Sequence, residues 1–439
     1  MSLVMVTHLS SAPPPWMVLP FGLLLVCMAV LPLCAASFWE RHFKKVSLLA
    51  GLGAAAWYAL AAHDVRPVLA SLEDYTGFMA LTGSLFVITG GIHVKVGGES
   101  SPWKNAVFLL CGAALAPVIG TTGASMLLIR PWIALNKHRI TSYHIVFFIF
   151  IVGNVGGSLT PAGNPPLYMG FLRGVGFWWT LGHLWPSWLA AVGLLTAVFY
   201  GIDRRCFRRL PPPLREKIRH DHERWQVRGL VHLVWLAVVL GVMFLPREWR
   251  IGTDLFAVPV SALVMLLAAL ASRRTASPQV RQATPFSLAP VEEVAWLFLG
   301  IFVSMRPALD LLEGGHALPL DSPLQFYLAS GTLSACLDNA PTYLAFLAAA
   351  MGRHHMSVDD ARQVAAFASA HGAYVVAVSM GANFFGAATY VGNGPNFMIK
   401  AVADRAGVRT PSFPGYVIRY TVPVLLPVLG LVGWWYLGR

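Results

Sequence analysis

Apolar residues in this chain run in long blocks, without the alternation of elements that keep one face in water. Ten blocks approach the ~20 residues that an α-helix needs to cross a bilayer, so they predict ten transmembrane spans. The spans are expected at residues 16–36, 46–62, 76–93, 141–172, 177–200, 229–246, 253–271, 290–311, 364–401 and 416–437.

Two further apolar stretches, 105–135 and 324–350, are interrupted by polar tips, "GTTGAS" in the first and "LDNAPT" in the second. Each tip divides its stretch into two arms of about a dozen residues, which are too short to span singly. Because a lipid-facing helix does not carry such a tip at its middle, both stretches are predicted to be re-entrant hairpins.

Composition agrees with an all-α polytopic membrane protein, since 56% of the 439 residues are hydrophobic, only 12% are charged, and the mean hydropathy is +0.62. With both hairpins re-entrant, 24 of the 32 Lys and Arg residues fall on one side of the membrane. That side is therefore predicted to be cytoplasmic, with both termini outside. The same rule explains the formal charge of +12 without a nucleic-acid partner. We expect a multi-pass protein of a bacterial-type inner (plasma) membrane, surrounded by lipid.

The two halves of the chain share a motif. "GNVGGSLTPAGNPP" at 153–166 and "ANFFGAATYVGNGPN" at 382–396 both contain the pattern N-x2-G-x2-T-x2-G-N-x-P, at a fixed offset of 229 residues. Each half also consists of three spans, one hairpin and two spans, and the charge distribution gives the halves opposite orientations. The chain is thus predicted to contain a first inverted repeat (1–202), a basic cytoplasmic linker (203–228) and a second inverted repeat (229–439).

Both motifs lie inside predicted spans, at 141–172 and 364–401, where Gly and Pro would break the helix near the middle of the membrane. The freed backbone groups, together with Asn, Ser and Thr side chains, would face the midplane, as in secondary transporters. A kink that lets helices pack closely is the structural alternative for one motif. Two breaks in register, each beside a polar hairpin, favour a binding site.

Four segments carry a family resemblance: "GTTGASMLLIRP" (120–131), "GNVGGSLTPAGNPPLYMGFLRGV" (153–175), "LDNAPTYLAF" (337–346) and "GAATYVGNGPNFMIKAV" (386–402). They resemble the citrate-transporter-like and NhaD-like sodium/proton antiporter branch of the ion transporter superfamily, over essentially the whole chain. The resemblance implies a scaffold domain, a mobile transport domain with elevator-type alternating access, and commonly a homodimer. It also implies that the hairpin tips and broken-helix loops bind the substrate and the coupling ion.

Carried onto this sequence, the resemblance implies two ion sites, drawn from the polar residues of the four segments. The candidate ion- and substrate-binding residues are Thr122, Ser125, Asn154, Ser158, Thr160 and Asn164 in the first half, and Asp338, Asn339, Thr342, Asn383, Thr389 and Asn393 in the second. Sodium is expected at these positions, with Na+ or H+ as the coupling ion. Neither a transition-metal site nor an organic cofactor is expected.

Two of these residues decide the chemistry. Asp338, at a hairpin tip, is the candidate titratable carboxylate for Na+ or H+; alternatively, it caps the second arm of its hairpin. Asn164 stands where antiporter-like relatives usually have an Asp, in "TPxGDPP", and an amide can coordinate an ion but cannot titrate. This departure leaves two questions open: the coupling stoichiometry, and whether the protein exchanges sodium for protons at all.

The leading hypothesis is a cation-coupled secondary active transporter, foremost a sodium/proton antiporter that uses Asp338. The alternative is a sodium- or proton-coupled transporter of citrate or a similar carboxylate, which the missing acid at Asn164 favours. An ion channel ranks third, because a pore has no need of inverted repeats. An enzyme is not expected, since the sequence has no HExxH, GxSxG or paired-carboxylate motif. ATP-driven transport is not expected either, since the sequence has no P-loop motif.

Overall fold

The computed structural model describes residues 13–97, 99–219, 226–246, 249–252, 257–276, 288–314 and 318–438. Part of the basic linker, 220–225, and the start of the seventh predicted span, 253–256, lie outside the described residues. The helices of the first half are α1 (Leu19–Cys34), α2 (Ala36–Leu60), α3 (Arg66–Thr89), α4 (Pro102–Ile119), α5 (Thr121–Leu135), α6 (Ser142–Ile151), α7 (Pro165–Arg173), α8 (Phe177–Arg208) and α9 (Pro212–Arg219). Those that follow are α10 (His232–Val242), α11 (Val260–Thr275), α12 (Ala289–Ser304), α13 (Arg306–Glu313), α14 (Pro323–Cys336), α15 (Asn339–Gly352), α16 (Ala361–Ala370), α17 (Gly372–Phe385), α18 (Gly394–Arg405), α19 (Phe413–Tyr416) and α20 (Leu426–Leu437).

The described chain is an all-α polytopic membrane protein, as the sequence predicted. Within the described residues, five segments are long and apolar enough to cross a bilayer: Pro15–Pro32, Pro102–Ile119, Phe177–Arg208, Val291–Glu313 and Phe413–Leu437. The other predicted spans contain helices that are shorter, broken or less apolar. Two small antiparallel ladders, β1 (His93–Lys95) with β2 (Gln226–Arg228) and β3 (Arg250–Gly252) with β4 (Ala257–Pro259), are additions that the sequence did not predict.

One set of helices, here called the scaffold group, consists of α1–α3 and α10–α13. The last of these, α13, continues α12 within the apolar segment Val291–Glu313 and also packs against α15. The centre of the scaffold group is the crossing of α2 and α12, where a Cβ on Gly300 would lie only 2.2 Å from Ser47 Oγ. Beside this crossing, Phe78 of α3 stacks on Phe298 of α12 with ring centroids 4.7 Å apart. Small residues at the crossing allow the backbones to approach closely, which is how membrane helices commonly pack.

The second set, here called the hairpin group, contains α4–α8, α14–α18 and α20. Its first hairpin is α4 and α5, joined by Gly120 with φ +78°. The two feet of this hairpin meet, because Asn105 Nδ2 donates to Asn136 Oδ1 at 2.8 Å and to Asp203 Oδ2 at 3.1 Å. Arg139 forms a buried ion pair with the same carboxylate, with Nη2 and Oδ2 2.8 Å apart. The two ends of this helical hairpin therefore lie side by side, the geometry that a re-entrant hairpin requires.

The second hairpin is α14 and α15, which meet at Leu337 and Asp338. Each arm has 14 residues and is about 21 Å long, shorter than the ~30 Å hydrocarbon core. An exposed ion pair joins its feet, with Arg353 Nη2 and Asp321 Oδ1 2.9 Å apart. In the first hairpin, α4 has 18 residues, so the predicted arm of about a dozen residues was too short. The helix starts earlier because Pro102 occupies its first turn, where proline is favoured.

Both predicted broken helices are broken. The first comprises α6 and α7; α6 is apolar on every side and its residues from His144 to Ile151 are all buried, as expected for a helix surrounded by protein. The second comprises α17 and α18, and it begins at Gly372 rather than at the predicted residue 364. The chain bends by 99° between α16 and α17, because His371 leaves the helical conformation with φ −125° and ψ 35°.

The buried foot of the first hairpin generates a stability prediction. Asp203→Ala leaves Arg139 buried without its carboxylate partner, which costs about 3–5 kcal/mol and should lower the Tm of the purified protein by several degrees. The matched control Glu292→Gln removes an exposed ion pair with Lys44 and should leave the Tm nearly unchanged. Equal Tm values for the two variants would show that the foot cluster does not stabilise the hairpin.

Candidate functional site

The threonine that the two motifs share forms the same hydrogen bond in each half of the chain. The Thr160 hydroxyl donates to Pro117 O, near the end of α4, and Thr389 Oγ1 donates to Ala335 O at 2.7 Å, near the end of α14. In both halves the acceptor lies three residues before the hairpin tip. These threonines therefore tie each broken loop to the first arm of its own hairpin.

The glycines of the motif are required because each broken loop folds tightly on itself. A Cβ on Gly163 would lie 2.1 Å from Gly157 O. In the second half, a Cβ on Gly392 would lie 2.7 Å from Gly386 O and from the carbonyl oxygen at Ser334. Real side chains essentially never approach so closely, so the shared glycines shape the two loops.

The two broken loops also contact each other. Asn154 Nδ2 donates to Asn396 Oδ1 at 2.7 Å, and Asn393 Nδ2 donates to Asn154 Oδ1 at 2.9 Å. The helices around them exchange partners, since α5 packs on α18 and α15 packs on α7. The two predicted ion sites are therefore parts of one continuous polar cluster.

Asn164 is the point at which both hairpin tips meet. It is 2% exposed, and its Oδ1 lies 3.5 Å from Thr121 Oγ1 of the first tip. The same atom lies 3.5 Å from Asn339 Nδ2 of the second tip. Its own Nδ2 has no hydrogen-bond partner among the described residues, so a buried donor is left for a ligand.

Other predicted residues divide into two kinds. Ser125 Oγ, Asn339 Oδ1 and Asn383 Oδ1 are buried oxygens with no partner in the described part of the chain. In contrast, the hydroxyls of Ser158 and Thr342 donate to main-chain oxygens, at 3.2 Å and 2.9 Å. The unpartnered oxygens are the ligands that a hard cation accepts.

Asp338 caps α15, because its Oδ1 accepts a hydrogen bond from Ala340 N at 3.1 Å. The capping role considered from the sequence is therefore present, and it is compatible with ion binding. The corresponding start of α5 has no side-chain cap, and neither has the start of α7. The two halves thus differ in charge: a carboxylate offsets the positive helix end at the second tip but not at the first.

A cavity of about 30 Å³ lies between α3 and the first hairpin tip. Its lining is uncharged and consists of Leu81, Thr82, Leu85 and Phe86 of α3, the tip residues 119–123, and Pro161, Ala162, Gly163, Asn164, Pro165 and Tyr168. Thr122 is the predicted site residue that faces this space together with Asn164. The volume suffices for about two waters, so a larger solute requires α3 and the tip to separate.

Several residues that hold the site were not predicted. Asn396 Nδ2 donates to Gly386 O at 2.7 Å and to the carbonyl oxygen of Thr389 at 2.8 Å. At the repeat offset Asn396 corresponds to Leu167, so the comparison of the halves could not find it. Trp188 Nε1, which donates to Gly156 O at 2.7 Å, lies in a predicted span where it looked like any interfacial tryptophan. The polar start of α18 was the available signal for Asn396.

Comparison with known proteins identifies the family. A family model described as "Putative citrate transport" matches residues 10–437, so the chain belongs to this citrate-transporter-like family. The match confirms the citrate-transporter-like resemblance and gives no support for the NhaD-like branch. No protein of curated function matches the sequence.

The tight fold of the second loop generates a prediction. Gly392→Ala places a Cβ against two backbone oxygens and should abolish transport in proteoliposomes. Gly394→Ala, two residues away, has nothing within 4 Å and should keep wild-type rates. Both variants are checked for monodisperse elution in detergent. Full activity of the Gly392 variant would mean that the loop is not part of the site.

Proposed function

We propose that this member of the citrate-transport family carries citrate or a similarly small polycarboxylate, coupled to Na+ or H+, through the polar cluster at the membrane midplane. Family membership supports a secondary transporter. The finer assignment rests on one observation, the difference in charge between the two hairpin tips.

The first tip offers a place for a carboxylate. The starts of α5 and α7 both face the cavity without a side-chain cap, and helix N-termini attract anions. Asn164 Nδ2 adds an unpartnered donor at the same place. Because the described lining contains no acid, an entering anion meets no like charge.

The second tip offers a place for the coupling cation. Asp338 supplies a carboxylate there, and Asn339 Oδ1 and Asn383 Oδ1 supply buried oxygens without partners. A cation at this tip would offset part of the charge of a polycarboxylate at the first tip. The contact between Asn339 and Asn164 gives the two parts of the site a direct connection.

Sodium/proton antiport, the leading hypothesis from the sequence, is the weaker candidate. The family match does not support it, and Asn164 supplies an amide where a second titratable acid would help exchange. An antiporter also has no use for the uncapped helix ends at the first tip.

Reconstituted protein distinguishes the two activities. Liposomes containing the purified protein should accumulate labelled citrate when an inward Na+ or H+ gradient is imposed. Addition of Na+ or Li+ without citrate should leave an internal pH dye unchanged. A pH response to Na+ alone, with no citrate uptake, would contradict the proposal.

Asp338→Asn tests the cation role separately from the cap. Asparagine caps a helix about as well as aspartate, so the variant should fold, yet it should lose cation-coupled uptake by at least ~100-fold because a buried ion site loses its charge. Asp360→Asn changes another capping aspartate, that of α16, and should transport normally. Wild-type coupling in Asp338→Asn would remove the residue from the ion site.

Asn164→Asp tests the anion side. A carboxylate in the uncharged lining should raise the KM for citrate by about tenfold or more at pH 8, because like charges at a buried site repel strongly. Lowering the pH to 5.5 should restore part of the affinity in the variant by protonating the new acid, whereas wild type should not improve in the same way. An unchanged KM and pH profile would mean that position 164 is structural.

A further inference from the structure

A buried network of arginines and acids lies beyond the cavity, on the side that the charge distribution predicts to be external. Its centre is Asp359, in the loop between α15 and α16. Arg306 at the start of α13 donates to Asp359 Oδ1 from Nη1 at 2.8 Å, and Arg173 at the end of α7 donates to the same carboxylate. Both arginines are nearly buried, with 6% and 9% of their surface exposed.

Each arginine also has a second acid partner. Arg173 Nη2 lies 2.5 Å from Asp74 Oδ2 of α3, and Arg306 Nη2 lies 2.5 Å from Asp310 Oδ1 on its own helix. Burial alone would raise the pKa of Asp359, but Arg306 and Arg173 together lower it to about 2. Asp359 therefore stays ionised at neutral pH and remains a partner for both arginines.

The four ion pairs differ in which helix groups they join. Arg173–Asp359 lies within the hairpin group and Arg306–Asp310 within the scaffold group. Arg173–Asp74 and Arg306–Asp359 cross from one group to the other. If the groups slide apart, each arginine keeps one acid, so neither guanidinium is left buried without a charge partner. The high cost of breaking a buried ion pair is thereby avoided.

One of the two crossing pairs, Arg173–Asp74, lies on α7 and α3, two of the helices that line the cavity. On α3, Asp74 is about 10 Å along the axis from Leu81, where the cavity lining begins. On α7, Arg173 lies at the opposite end from Asn164 and Pro165. Tyr168, between them, contacts α3 through a hydrogen bond from its hydroxyl to Gly77 O at 3.3 Å. The Arg173–Asp74 pair therefore closes the α3–α7 interface between the cavity and the external side, and Arg306–Asp359 is linked to it through Arg173, which also donates to Asp359.

We propose that Arg173–Asp74 and Arg306–Asp359 form a latch that closes the external route to the binding site and must open in each transport cycle. Asp74 and Asp359 are then positioning residues: they set the side to which the site opens and do not touch the substrate. The latch rests on the chain being a transporter, but not on which solute is carried.

The test measures access to the cavity and requires no transport. A variant lacking the five native cysteines receives a reporter by Thr82→Cys, on the cavity-lining face of α3. Intact cells are treated with a membrane-impermeant maleimide from outside, and the labelling rate is followed. In this background Asp74→Asn and Asp359→Asn should each increase the labelling rate about tenfold. The reason is that each substitution destabilises the state with a closed external route, so a larger fraction of the molecules has this route open.

Adjacent acids provide the matched controls. Glu73→Gln removes the pair that Glu73 forms with Arg250, where Nη1 and Oε2 are 2.7 Å apart. Asp360→Asn removes the charge of the residue that caps α16 and leaves the capping group in place. Both should label at the parental rate. Rates for the Asp74 and Asp359 variants equal to those of their neighbours would overturn the latch.

Folding and the proposed solute are controlled separately. Monodisperse elution identifies folded variants. If Asp74→Asn fails this check, Asp74→Glu replaces it, because glutamate keeps the charge but displaces it, and its labelling rate should be intermediate. A labelling rate equal to that of the parent would again overturn the latch. Failure of citrate uptake in wild type, with the labelling pattern intact, would contradict the proposed substrate but leave the latch standing.

Discussion

The structure depends on one constraint: backbone groups freed in the middle of a membrane must find partners inside the protein. Residues outside the motifs meet this need. Trp188 donates to Gly156 O in the first loop, while Tyr416 and Thr421 donate to Ala387 O and Ala388 O in the second, at 2.8 and 2.6 Å. Within the described part of the chain, unpartnered buried atoms at Asn164, Asn339 and Asn383 lie together in the polar cluster, which marks it as a place for a ligand.

The same constraint explains why the two halves resemble each other in backbone and differ in charge. The loop glycines and the threonine bonds to the hairpin arms are repeated because each break needs the same local solution. The residues that start the helices are free to diverge. In the proposed function, Asp338 at one tip, with Gly120 and Asn164 at the other, would give the site one negative and one positive end, for a cation and an anion carried together.

Hydropathy and the repeated motif were enough to predict the hairpins, the broken helices and most residues of the polar cluster. They could not predict that Asn164 contacts Asn339, because that contact joins segments 175 residues apart and depends on how the halves pack. The early start of α4 was missed because its first turn, Pro102–Asn105, is partly polar and precedes the apolar run. The bend before α17 was missed because apolar composition continues across that helix boundary. Asp359 drew no attention in the sequence because its loop is polar, and only the fold brings both arginines to it.

The central claim is that one midplane site takes a carboxylate at the first hairpin tip and a cation at the second. The most direct measurement is a cryo-EM map of the protein saturated with citrate and Na+. The account predicts carboxylate density against the starts of α5 and α7, within hydrogen-bond distance of Asn164 Nδ2, with cation density beside Asp338. Citrate density elsewhere, or an unchanged cavity at saturating citrate, would contradict it.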